Sequence, residues 1–191
     1  MIDIIDTYTP KDARSALSVM LESGELVELY EDRDADKFSV GWVDALSDTH
    51  VRLRSLDLAG RLEGIQVKRL DWIERVVTGS DYLLRRMALL EQRWRNARLW
   101  PERRVTGSLD DLMLDALTLS LEDGTVVTIS VGDEEYSGPV VKLSDDAGTI
   151  ADLNNYGDRV KEVSFRTADI GTLCLGRDEE QIGQFLMGKN P

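Results

Sequence analysis

Few residues in this chain of 191 residues are of the types that carry enzyme chemistry. His50 is the single histidine and Cys174 the single cysteine. A hydrolytic triad needs an imidazole base beside its nucleophile, and the sequence has no G-x-S-x-G elbow, no phosphate-binding loop and no dinucleotide fingerprint. A lone cysteine excludes an intrachain disulfide and a thiolate metal cluster, and is typical of a buried apolar position. We therefore expect a protein that is not an enzyme and holds no cofactor and no metal.

Arginines are concentrated in the middle of the chain, where the sequence predicts a helix from Asp81 to about Leu99. Its basic residues are Arg85, Arg86, Arg93, Arg95 and Arg98, and its apolar residues, spaced by three or four, are Leu83, Met87, Leu90, Trp94 and Ala97. Such spacing predicts a buried apolar stripe on a basic helix. The helix either packs on the chain's own strands, with its arginines paired to the chain's acids, or offers a docking surface to an acidic partner or to RNA phosphates.

The surrounding elements follow a pattern that the chain repeats. Residues 17–29 and 117–129 have the same order of apolar and breaker residues at an offset of 100, and LSD at 46–48 recurs as LSD at 143–145 at an offset of 97. A tandem duplication explains both offsets if a hairpin is shorter in the second copy. We predict two domains, with residues 1–104 forming the first repeat and its connector helix and residues 105–191 the second repeat and a C-terminal helix.

Each copy is predicted to be a helix followed by five strands. In the first copy the helix runs from Pro10 to Gly24 and the strands are 25–31, 38–46, 51–56, 62–67 and 72–77. In the second copy the helix begins at a Ser108 cap and the strands are 125–131, 136–143, 149–153, 159–166 and 170–175, followed by a helix over 177–187. The predicted fold class is α+β, mainly β, with two tandem small barrels joined by a basic amphipathic helix.

The first copy resembles the Sm-like family of small barrels, although other SH3-like barrels have nearly the same strand pattern. GWVDALSDTHVRL (41–53) is similar to the family's first motif, in which a glycine opens a bent strand before a nucleotide-binding turn. VKRLDWIERV (67–76) is similar to the second, in which an Arg-Gly pair precedes the last strand; here Leu70 follows Arg69. The resemblance implies that His50 stacks on a base, that Arg69 grips a phosphate, and that edge strands pair in assembly.

Charge and hydropathy limit the possible partners. The net charge is −13, of which the first 100 residues contribute −3 and the remainder −10, so RNA would need a local basic patch and DNA is not expected. No apolar run approaches the ~20 residues of a membrane span, and the start MIDIIDTYTPK lacks the basic residues of a secretory signal. We expect a cytoplasmic protein of bacterial type without membrane association.

Two functions remain. The first is an interaction or assembly module that binds a protein partner, or a second copy, through its barrels and connector helix; the helix should then be buried against a partner or its own barrels. The alternative is an RNA-binding Sm-like regulator, in which basic residues of the turns and the helix share one exposed face. The candidate binding residues are His50, Arg69, Arg85, Arg86, Arg93, Trp94, Arg95 and Arg98.

Overall fold

The computed structural model describes residues 3–6, 10–31, 38–94 and 111–188. Its helices are α1 (Pro10–Ser23), α2 (Asp81–Trp94), α3 (Leu112–Asp123) and α4 (Asp178–Met187). The strands are β1 (Asp3–Asp6), β2 (Leu26–Glu31), β3 (Phe38–Leu46), β4 (His50–Leu56), β5 (Leu62–Arg69), β6 (Ile73–Thr78), β7 (Val127–Val131), β8 (Glu134–Gly138), β9 (Val140–Leu143), β10 (Ala147–Leu153), β11 (Arg159–Arg166) and β12 (Ile170–Leu175). The α+β, mainly β class is therefore confirmed. The predicted domain boundary at 104 lies outside the described residues.

Two sheets organise the described residues. One has nine strands in the order β1-β6-β2-β3-β4-β5-β12-β7-β8, and the other has three in the order β11-β10-β9. Neither sheet closes on itself, so the prediction of two closed barrels is not confirmed. The large sheet instead runs from the first half of the molecule (residues 10–94) into the second half (residues 111–188), because the outer edge of β5 pairs antiparallel with β12.

The bounds of the elements recur with the offsets found in the sequence. β10, β11 and β12 begin and end 97 positions after β4, β5 and β6, and the 3-10 helix Thr167–Asp169 follows Leu70–Trp72 by the same interval. Helices α1 and α3 are each followed by a glycine with φ of 66°, Gly24 and Gly124, 100 positions apart. Helix α4 starts 97 positions after α2. The arginine helix is thus the counterpart of the C-terminal helix, and each half is a helix, a set of strands and a second helix.

One bent strand is built differently in the two halves. β3 is continuous, but the single strand predicted over 136–143 is divided into β8 and β9 at Pro139, which has no backbone N–H to donate. A glycine precedes the bend in both halves: a Cβ at Gly41 would lie 2.0 Å from the Arg54 carbonyl oxygen, and one at Gly138 would lie 1.9 Å from that of Ala151. These close approaches require glycine at both positions.

The first helix of each half closes an apolar interior. Ala13, Leu17 and Met20 of α1 pack against strands of the first half, and Met113, Ala116 and Leu117 of α3 do the same in the second. The second interior also contains Ala45 and Val67 of the first half. The contact between the halves is therefore part of a hydrophobic core, and the halves are not independent bodies joined by a linker.

A buried ion pair also lies at this contact. The Lys68 side chain is 4% exposed and its ammonium group binds the Glu31 carboxylate of β2, although β3 and β4 separate β2 from β5 in the sheet. The Thr172 hydroxyl of β12 donates to the same carboxylate at 3.2 Å. The nine-stranded sheet must curl strongly for β2 and β5 to meet. Strand β12 is bound at the place where they meet.

Candidate functional site

A groove with a volume of about 360 Å³ lies where the two halves meet, and we call it the seam groove. The first half lines it with the turn Asp48 to His50, and with Arg69 and Asp71 beside the first 3-10 helix. The second half lines it with the start of α3, and with Thr167 and Ala168 of the other 3-10 helix. Both predicted turn residues, His50 and Arg69, are thus brought together at one site.

His50 is positioned by the turn that precedes β4. The Ser47 hydroxyl accepts hydrogen bonds from the backbone N–H groups of Thr49 and His50, which fixes the turn, and Thr49 Oγ1 lies 2.9 Å from His50 Nδ1. Burial lowers the pKa of the His50 imidazole below 6.5, and the nearby Asp111 carboxylate opposes this shift in part. The ring is therefore mainly neutral at pH 7.

Arg69 faces His50 across the β4–β5 pair and is already engaged. Its Nε donates to Asp71 Oδ1 at 2.8 Å, a second nitrogen donates to the other carboxylate oxygen, and a third donates to the Ala168 carbonyl of the second half. This pairing with Arg69 lowers the pKa of the Asp71 carboxyl group. Three of the five N–H groups of Arg69 are thus used within the chain, which leaves fewer donors for a phosphate.

The charge of the seam groove is negative. Asp48, Asp71 and Asp111 contribute three carboxylates, of which Asp71 is neutralised by Arg69 and Asp48 lies 3.2 Å from Arg14. Asp111 caps α3, where its Oδ1 accepts from the N–H groups of Met113 and Leu114 at 3.1 and 3.0 Å. With Arg69 and Arg14 counted, the three carboxylates leave a net charge of about −1, which disfavours phosphate and favours a cationic group.

The arginine helix α2 packs on the outer face of the first sheet. Leu83 and Leu90 are 2% and 5% exposed and form one cluster with Leu26, Val40 and Leu56. Met87 remains 37% exposed, so the prediction that it is buried in the stripe was wrong. The contact is made instead by Tyr82, whose ring meets that of Phe38 edge-on with centroids 5.3 Å apart.

The predicted arginines of α2 lie in different surroundings. Arg85 is exposed. Arg86 donates to the Tyr82 hydroxyl at 2.7 Å, and its guanidinium carbon lies 4.6 Å from the Tyr82 ring centroid. The side chains of Arg93 and Trp94, and the whole of Arg95 and Arg98, lie outside the described residues. For these four, as for the other candidate residues, the binding assignment stays a prediction.

Helix α2 and the seam groove are at opposite ends of the β4–β5 pair. A Cβ at Gly60, in the turn after β4, would lie 3.6 Å from Leu89 of α2, whereas His50 and Arg69 are paired at the other end of the two strands. Six residue steps along a strand span about 20 Å. The sequence did not indicate this separation, and it did not indicate that Asp111 and Ala168 would complete the groove.

Several observations bear on chemistry. Cys174 is buried, as predicted, and burial raises the pKa of its thiol to about 11, so it is a poor nucleophile. In the described part of the chain, no group of three or more His, Cys, Asp or Glu side chains could hold a metal ion. None of the helices in the described ranges combines the length and apolarity that a membrane crossing needs. No protein-family model, curated protein or solved structure matches this chain.

Proposed function

We propose that the chain is a non-catalytic protein-interaction module, in which two Sm-like units derived by duplication pair edge to edge and bind a partner at the seam groove. The strand order supports the likeness of the units. The first half has β6-β2-β3-β4-β5, and the second has the counterparts β12-β7-β8 and β9-β10-β11, with one bent strand divided between the two sheets. A buried cysteine without a disulfide partner fits the reducing cytoplasm.

The observation that carries the proposal is the composition of the seam groove. It has three carboxylates, a neutral His50, and a guanidinium that is held by Asp71 and Ala168. The matching partner group is a lysine or arginine side chain of another protein, which would meet Asp111, and Asp48 beside its ion pair with Arg14, at the rim. Since both halves line the groove, binding of such a partner depends on the two units being paired.

RNA binding is the second candidate, and one observation favours it. The two segments to which the Sm-like resemblance assigns nucleotide contact, the turn at His50 and the bend at Arg69, do line one cavity. A neutral imidazole can stack on a base. The negative rim and the engagement of Arg69 favour the protein partner over RNA, and the distance between α2 and the seam groove gives no support to a compact basic face shared by Arg85 and His50.

Site-specific photo-crosslinking in cells separates the two candidates. A photoreactive phenylalanine analogue replaces Thr49, which lines the groove, and a matched control carries it at Glu122, exposed on α3. We expect an adduct at Thr49 that protease removes and ribonuclease leaves unchanged, and that Asp111→Asn weakens by removing groove charge. An adduct removed by ribonuclease would establish the RNA candidate. Equal labelling from both positions would exclude the groove as a binding site.

A further inference from the structure

The outer edges of β6 and β12 are filled in the same register by different strands. β12 is the counterpart of β6, and β5 pairs with it through Ile65↔Leu175, Gln66↔Cys174, Val67↔Leu173 and Lys68↔Thr172. β1 pairs with β6 through Asp3↔Thr78, Ile4↔Val77, Ile5↔Val76 and Asp6↔Arg75. Because the counterparts are 97 positions apart, β1 takes residue for residue the place on β6 that β5 takes on β12.

A second strand of the β5 type exists in the molecule. β11 is the counterpart of β5 by position, and within the described residues it pairs with β10 alone, so that its other edge bears no strand. Six of its eight residues are exposed, with only Phe165 buried and Val163 half-buried. Among the described strands, the acceptor edge of β6 is therefore occupied by β1, and the donor edge of β11 is open.

We infer that β1 is a displaceable cap on the acceptor edge of β6, and that the strand it excludes is β11 of a second copy of this chain. The junction of β5 with β12 is the pattern for the contact, since it joins a strand of the β11 type to one of the β6 type. Removal of the cap would let copies join head to tail, a heterologous contact that gives rings or filaments. This inference rests on the registers alone, and a failure of the seam-groove proposal leaves it standing.

The residue types at matching positions explain why β1, and not β11 of a second copy, occupies the edge of β6. Where β5 has Val67, β1 has Ile5 and β11 has Ser164. A β-branched apolar residue favours a paired strand position more than serine does. β1 also belongs to the same chain, which gives it an effective concentration in the mM range. With four paired residues, however, it has few hydrogen bonds to lose, so a better strand can displace it.

The test first removes β1 and then alters the donor edge of β11. A chain that begins at Thr9 is compared with the full chain by sedimentation velocity from about 1 to 100 μM. We expect the trimmed chain to associate at least tenfold more tightly than the full chain, and Ser164→Lys in the trimmed chain to abolish this by placing a charge at the edge. The inference is overturned if the trimmed chain folds and stays monomeric, or if Ser164→Lys associates equally.

A complementary variant keeps β1 and so does not depend on folding of the trimmed chain. The double substitution Glu162→Ile and Ser164→Val gives β11 the residues that β5 has at the same positions. We expect this full chain to associate, and a synthetic peptide of residues 1–8 to reverse the association by occupying the β6 edge. The inference is wrong if the double variant stays monomeric, or if excess peptide leaves its association unchanged. Either result would show that β1 does not exclude β11 from the edge of β6.

Discussion

Both halves have a buried carboxylate near the start of their second helix, but the acid belongs to a strand in one half and to the helix in the other. In the first half Glu28 of β2 is 3% exposed, and it accepts hydrogen bonds from the Tyr30 hydroxyl at 2.7 Å and from the Ser80 hydroxyl just before α2. In the second half the strand position, 100 residues on, is Thr128. The acid there is Glu180 in the first turn of α4.

The second arrangement has a much stronger set of partners. Glu180 is 2% exposed and accepts from the Thr128 hydroxyl at 2.6 Å, from the Arg177 backbone N–H at 2.8 Å and from the Arg177 guanidinium at 2.7 Å. Arg177 holds the place of Ser80, 97 positions later. Both halves thus keep an anion at the start of the second helix, where the helix dipole favours it, and either the strand or the helix can supply it.

Removing each acid gives the largest expected difference between the halves. Glu180→Ala leaves the Arg177 guanidinium with only the exposed Glu179 carboxylate, at 3.7 Å, as an ion-pair partner, which should cost about 3 kcal/mol in the free energy of unfolding. Glu28→Ala leaves only hydroxyl groups unsatisfied and should cost about 1–3 kcal/mol. Urea denaturation of the two variants beside the unmodified chain checks this. Equal losses would mean that the halves use the acid in the same way despite their different partners.

Thiol labelling compares the edges of β6 and β12. A pKa near 11 instead of 9.0 lowers the thiolate fraction of Cys174 at pH 8 about 100-fold. Its counterpart is Val77, opposite the short β1. We expect Val77→Cys, made together with Cys174→Val, to react with an aromatic disulfide reagent faster than Cys174 does, because β1 is a four-residue edge strand that pairs with β6 alone, whereas the longer β5 is also held by β4. A slower reaction at position 77 would show that β1 is held as firmly as β5.

The paired arginines of the two 3-10 bends should differ by a smaller amount. Arg69 donates to the Ala168 carbonyl across the seam as well as to Asp71, whereas Arg166 bonds with Asp169 and is 75% exposed. Arg69→Ala should therefore cost about 1–2 kcal/mol in the free energy of unfolding, and Arg166→Ala should have a clearly smaller effect because its ion pair is exposed to solvent. Thermal melts of the two variants measure the difference. A loss at Arg166 as large as that at Arg69 would remove any stabilising role for the seam contact.

The smallest effect concerns pH. His50 has a lowered pKa in the folded chain, so the unfolded state takes up the proton first as pH falls, and stability contributed by the neutral ring is lost progressively below about 6.5. The second half has Ala147 at this position, so His50→Ala makes the halves alike there. Between pH 7.5 and 5.5 we expect this variant to lose less stability in urea titrations than the unmodified chain. Parallel losses would show that the imidazole titrates as it does in water.

Local signals in the sequence predicted most elements. The bounds of β3, β11 and β12 agree with prediction, because apolar alternation and flanking breakers are properties of neighbouring residues. The pairing of β5 with β12 and of β1 with β6 depends on contacts between distant residues, which no short pattern records. The same holds for the seam groove: His50 and Arg69 were predicted from the Sm-like resemblance of their segments, while Ala168, which meets Arg69, comes from the other half.

The junction of β5 with β12 also governs how the chain must be made. Ile65 pairs with Leu175, which is synthesised 110 residues later. At ribosomal speeds of roughly 5–20 residues per second, the nascent first half waits about 5–20 s with an unsatisfied β5 edge. During that interval neighbouring polypeptides on the same messenger can compete for β5, so slowing translation of the second half should increase misassembly.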